Sequence, residues 1–219
     1  MQNLARPAGP PPLLWVMAAI FVGFELTFAL AESGLFGRTD LRVEVYLRGA
    51  FLDFYFDRAL AGESPPGWFW TSFVTYAFLH GGMLHLLMNT AVFLGLGSYI
   101  AHGIGLPRFL ILFGVTAIAG AVAFGLIAKT NGPMIGASGV VFGFIGALKR
   151  WEWKYIQRTG APANRFWGTI IALILINLLL LLYFPGDGGL AWEAHLGGFV
   201  AGFLIAPLLA PHAAGPSPI

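Results

Sequence analysis

Apolar residues along this chain come in long unbroken runs. They show neither the two-residue alternation of half-buried strands nor the single-faced stripe of water-soluble helices. Runs over Leu13–Leu30, Phe73–Ala101, Pro107–Ala128, Phe166–Phe184 and Trp192–Leu209 each suit a membrane span, which needs about 20 residues to cross the hydrocarbon core. A further run from Gly136 to Lys149 is shorter. Its start is therefore expected below the membrane surface, with irregular backbone shielded by protein. The pattern predicts an all-α membrane protein, a bundle of six transmembrane helices.

The polar intervals divide the rest. Residues 1–12 are Pro-rich and predict a disordered cytosolic tail. Residues 211–219 predict a second disordered tail, leaving residues 13–210 as one six-span domain. The first apolar run is too long for a signal-peptide core and lacks a convincing cleavage signature, so it is expected to remain as a span. Between Ala31 and Trp70 stand four arginines and six carboxylates mixed with aromatics. This stretch predicts a long amphipathic first loop, a hairpin lying at the membrane surface. Asn131-Gly132-Pro133 signals a turn between the third and fourth runs.

Composition agrees: 58% of residues are apolar and 10% charged, far from the balance of a water-soluble domain. The net charge of +2 is small and its basic residues dispersed, which gives no basis for nucleic-acid binding. Without cysteine there is no disulfide framework, thiol catalysis or thiolate-bound metal. Charge does orient the bundle. Lys149, Arg150, Lys154, Arg158 and Arg165, with only Glu152 opposing them, mark the loop between the fourth and fifth spans as cytoplasmic. Both termini are then cytoplasmic and the long first loop is outside.

Polar residues inside spans are expensive and so are candidates for function. His80, His85 and Asn89 are expected on the second span, Ser138 on the fourth and His195 on the sixth. With this orientation all five lie at similar depth below the outer surface. Ser138 sits in Gly136-Ala137-Ser138-Gly139 at a helix start, where amides and the helix dipole favour developing negative charge. On that tetrapeptide alone, a small packing residue is a better reading than a nucleophile. His195 lies beside a stripe of small residues, Ala194, Gly198, Gly202 and Ala206. Gly139, Gly143 and Gly146 form a matching stripe on the fourth span, so the two helices are expected to pack closely and bring hydroxyl and imidazole together. His85 and Asn89, four residues apart, share a helix face and suit donors to an oxyanion. Interhelical hydrogen bonding is the plainer use of such residues. A three-histidine metal site is disfavoured, because no carboxylate or cysteine accompanies the histidines and H-E-x-x-H is absent.

Three motifs together, His80-x4-His85-x3-Asn89, Gly136-Ala137-Ser138-Gly139 and Ala194-His195-x2-Gly198-x3-Gly202, resemble those of the rhomboid intramembrane proteases in order and spacing. The resemblance covers spans two to six and fits the simple six-span form, mostly prokaryotic. It implies a plasma (inner) membrane protein of a bacterium or archaeon, with its active site opening to the extracytoplasmic side. It implies a serine endopeptidase acting on transmembrane protein substrates, with Ser138 as nucleophile and His195 as general base, and no cofactor or metal. It further implies that His85, Asn89 and the Ser138 amide line the oxyanion hole, and that Phe142 stacks on the base. His80, Gly136, Gly139, Gly198 and Gly202 are implied in support. Many relatives carry Trp-Arg about nine residues before the first span-two histidine; here Thr71 and Ser72 stand in that place, with Trp70 one position early. How the first loop is anchored is thus left open, as is whether Glu25 pairs with Arg42, with Arg48 or with neither. The competing expectations are an inactive relative that binds membrane clients without cutting them, and a small transporter. The transporter is disfavoured by the lack of internal repeats and by a polar cluster lying toward one face. Oligomeric state is not legible.

Overall fold

The computed structural model describes residues 9–128, 132–183 and 189–209. The expected C-terminal tail and most of the N-terminal one lie outside them. The described residues are nearly all helical: α1 (Pro12–Glu32), α2 (Leu41–Gly49), α3 (Asp53–Leu60), α4 (Phe69–Thr75), α5 (Met83–Ile104), α6 (Leu106–Ile127), α7 (Ser138–Thr159), α8 (Asn164–Tyr183) and α9 (Trp192–Ile205). Five segments, α1, α5, α6, α8 and α9 with the short 3-10 turn after it, are long and apolar enough to cross a membrane. Large apolar side chains stay exposed along them, among them Ile171, Leu175, Leu178, Leu179 and Leu182 on α8. Such a surface is stable against lipid and not against water.

Two expected boundaries are corrected. The second span does not run unbroken from Phe73. Residues Phe69–Phe78 form a separate short helix and turn, the chain breaks at Leu79–Gly82, and α5 begins only at Met83. Hydropathy reads this region as continuous because its residues are apolar, whereas Gly81-Gly82 with Gly82 at φ 115° interrupts the helix. His80 therefore lies in the loop before the helix and not on it. The fourth apolar run likewise does not end its helix at Lys149. α7 continues ten residues further to Thr159 and stops at Gly160, which adopts a left-handed conformation. The charged turns are held by their own contacts: Lys149 Nζ donates to Glu152 at 2.5 Å and to the Thr169 hydroxyl at 3.0 Å, and the Trp151 indole donates to the Ala206 carbonyl at 2.9 Å.

Inside lipid there is little hydrophobic drive between helices, so packing depends on close approach and dispersion. The core is aromatic, with Phe21, Phe93, Phe109 and Phe144 all fully buried among α1, α5, α6 and α7. α7 runs through the middle, packed on α5, α6 and α9. The small-residue stripes of α7 and α9 meet backbone to backbone. A methyl group at Gly198 would overlap the Gly139 carbonyl, at Gly202 the Gly143 carbonyl, and at Gly146 the Phe199 carbonyl.

The first loop is anchored without the Trp-Arg pair. Phe51 and Met134 exchange two backbone hydrogen bonds (3.1 and 2.9 Å), tying the loop to the segment just before Ser138. The Phe51 ring is buried against Phe56, Phe69, Phe73 and Phe124. Arg42 bridges α2 to α1, reaching both Glu25 oxygens at 3.0 and 3.1 Å and Glu32 at 2.5 Å. Burial works against its charge, but the Glu32 and Glu25 carboxylates outweigh that and hold the guanidinium above its ordinary range. Glu25 thus pairs with Arg42, while Arg48 lies 3.6 Å from Glu44.

Candidate active site

Ser138 is the first residue of α7, and His195 is one turn into α9. The close α7–α9 contact sets His195 Nε2 2.8 Å from Ser138 Oγ. His195 is 4% exposed. Its ring lies flat on Phe142, centroids 4.2 Å apart at 3°, which fixes the plane of the imidazole. Behind it, Nδ1 lies 2.7 Å from Oδ1 of Asn177 on α8. Asn177 is not among the residues expected at the site from the motifs, although a lone amide among leucines in a span is itself a signal.

Gly136, two residues before Ser138, has φ 108° and donates its amide to the Tyr76 carbonyl at 3.0 Å. A Cβ there would lie 2.7 Å from His85 Nε2 and 3.9 Å from Asn89 Nδ2. The two side chains therefore converge on the open face of Gly136, a position that only glycine leaves free. The Gly81 amide donates to His85 Nδ1 at 3.3 Å, so the ring proton sits on Nε2 and points toward that space. Asn89 spends one amide proton on the His85 carbonyl at 3.0 Å and keeps the other. His80 packs edge-on to His85, with centroids 5.3 Å apart, and tilts against Phe21. Neither of its ring nitrogens reaches a hydrogen-bond partner among the described residues. Its carbonyl accepts from Tyr46 at 2.6 Å and from Arg42 at 3.0 Å, which links the first loop to the residue before Gly81.

The structure thus brings Ser138, His195 and Phe142 into direct contact, and sets His85, Asn89 and Gly136 around an adjoining space. Gly139, Gly198 and Gly202 act at the helix contact beneath. Among the described residues, no group of three histidines or acids is arranged to hold a metal ion.

Comparison with known proteins gives the family. The Rhomboid domain matches residues 67–212, more than half of the chain. Similar proteins include "RHOMBOID-like protein 4" of Arabidopsis thaliana, 31% identical over 140 residues, covering 62% of this chain and 33% of that one. "Rhomboid protease GluP" of Bacillus subtilis is 31% identical over 149 residues, covering 67% of this chain and 27% of its own. "Uncharacterized protein Rv1337" of Mycobacterium tuberculosis is 33% identical over 142 residues, covering 60% and 55% respectively. The matches span about a third or less of the plant and Bacillus relatives and somewhat over half of the mycobacterial one. With the matched domain taking in α5 to α9 and every residue of the Ser138–His195 cluster, the chain belongs to the rhomboid family.

Proposed function

We propose that this protein is an intramembrane serine endopeptidase that hydrolyses peptide bonds in or near transmembrane segments of other membrane proteins. The observation that carries the reading is the 2.8 Å contact between Ser138 Oγ and His195 Nε2, at the start of a helix and against a stacked aromatic ring. The Ser138 hydroxyl donates to Nε2. As Oγ attacks the scissile carbonyl, its proton passes to the imidazole, which then gives it to the leaving amine. Water repeats the sequence in reverse to release the acyl group. Charge developing on the carbonyl oxygen falls to donors from His85 Nε2, the free Asn89 proton and the amide at the start of α7.

On this reading α7 is the fourth of six spans, entered from the extracytoplasmic side, and both termini are cytoplasmic. The basic residues of α7 and its following loop support that orientation. The membrane is a bacterial or archaeal plasma membrane, and the partners are lipid and single-span substrates.

The test is labelling of purified protein with a fluorophosphonate, together with cleavage of a transmembrane substrate. Wild-type protein should be labelled at Ser138, and Ser138→Ala and His195→Ala should each lose labelling and cleavage while staying folded. Substantial cleavage by folded Ser138→Ala protein would falsify the assignment. Absence of labelling in the wild type would favour a client-binding relative that does not cut.

A further inference from the structure

Asn177 on α8 stands 2.7 Å from His195 Nδ1, on the side of the ring away from Ser138. The direction of that hydrogen bond follows from a second one. Asn177 Nδ2 lies 2.8 Å from the Leu173 carbonyl oxygen, one turn back on α8. A carbonyl only accepts, so the amide nitrogen must face it; the flipped amide would set two oxygens against each other. Oδ1 therefore faces His195, and being an acceptor it requires the proton on Nδ1. Nε2 is then unprotonated and open to accept from Ser138 Oγ, which is the state a general base needs.

We infer that Asn177 is a positioning residue for the reaction, selecting the His195 tautomer whose Nε2 accepts the Ser138 proton. This rests on the proposal that Ser138 and His195 are nucleophile and base. Asn177 touches neither substrate nor reacting atoms. Its effect passes through the imidazole, in two stages. Before reaction it holds Nδ1–H and so leaves the Nε2 lone pair directed at Ser138. When the ring becomes an imidazolium, the amide oxygen still accepts from Nδ1–H and stabilises the new charge by its dipole. A carboxylate would do this more strongly, but an ionised one is costly to bury beside lipid. A neutral amide anchored on Leu173 supplies orientation without a buried charge.

The contact also comes from a helix that is otherwise mostly exposed. Of α8's residues, Phe166 alone is buried among those described, near the opposite end. Asn177 is half-buried, flanked by exposed Ile176 and Leu178. An amide at this place is unfavourable for a lipid-facing helix, and its pairing with His195 offsets that.

The test compares wild type, Asn177→Leu and Asn177→Asp, purified in one detergent, by turnover of a single-span substrate and by rate of fluorophosphonate labelling. Asn177→Leu should lower kcat and the labelling rate about 10- to 100-fold, because Nδ1 loses its acceptor and the inert tautomer gains population. KM should stay within about twofold, because substrate binding does not involve this residue. Asn177→Asp, protonated on the oxygen facing Leu173, keeps an acceptor for Nδ1 and should recover most of the rate. If the Leu variant fails to fold, Asn177→Ala carries the same expectation. Folded Leu or Ala protein with wild-type kcat and labelling rate would overturn the inference while leaving Ser138 and His195 intact. An Asp variant as slow as the Leu one would also overturn it, because the effect would then be structural. If wild-type protein is not labelled at Ser138, the proposed activity has failed instead, and the inference falls with it.

Discussion

Gly198→Ala tests whether the fit of α7 against α9 sets the reaction geometry. One methyl group added at Gly198 overlaps the carbonyl oxygen of Gly139, the residue after Ser138. The obstacle is backbone in the first turn of a packed helix, so no side chain can swing aside. The helices must part by roughly an ångström to restore ordinary contact. Overpacking of this kind typically destabilises by about 1–3 kcal/mol. The same displacement acts on the Ser138–His195 contact, because Gly198 lies one turn from His195 and faces the first turn of α7. A misplacement of about 1 Å in reacting groups is worth around 10²-fold in rate. The prediction is a lowered Tm together with a roughly hundredfold loss in turnover and in labelling of Ser138. Gly114→Ala on α6 is the control: its Cβ meets nothing within 4 Å, and alanine in a helix interior is favoured over glycine by about 0.5–1 kcal/mol. It should leave turnover unchanged and Tm equal or higher. Both variants are measured in one detergent by thermal denaturation and fluorophosphonate labelling. Gly198→Ala protein with wild-type Tm and labelling rate would refute the argument that backbone contact positions the site.

Other expectations follow from the same contacts. Removing either proposed oxyanion donor, His85→Ala or Asn89→Ala, should lower kcat by about 10²- to 10³-fold with little change in KM; lost stability with unaltered turnover would make these residues structural. Arg42→Ala leaves Glu25, 2% exposed, without its partner, and should destabilise by about 3 kcal/mol in thermal or denaturant unfolding, whereas Arg48→Ala, whose side chain is 71% exposed, should stay within about 0.5 kcal/mol. Equal effects of the two would argue against the α1–α2 clamp. Substrates with Gly or Pro in the outer part of their span should be cut faster than uniform poly-Leu spans, because a regular helix shields its peptide bonds. Equal cleavage rates in a paired assay would count against entry by local unwinding.

Much of this protein was legible in the linear sequence because the bilayer imposes one rule on every crossing segment. Backbone must be satisfied within the helix and side chains must be apolar, so spans appear as runs and polar residues within them stand out. Ser138, His195, His85 and Asn89 were visible for that reason, and the glycine stripes of α7 and α9 because helical period places them on one face. Where the sequence misled, a windowed average was the cause. Apolarity hid the break at Gly81-Gly82, and charge at Lys149 masked a helix that continues to Thr159. Other features had no local signature. Glu25 and Arg42 are separated by a span end and a loop, Phe51 meets Met134 across four intervening helices, and Asn177 gains its meaning only when α8 sets it behind His195. Sequence determines which residues are costly to place in a membrane. Only the packed bundle decides which partner repays each one, because pairing depends on distances between helices that the spacing along any one helix does not contain.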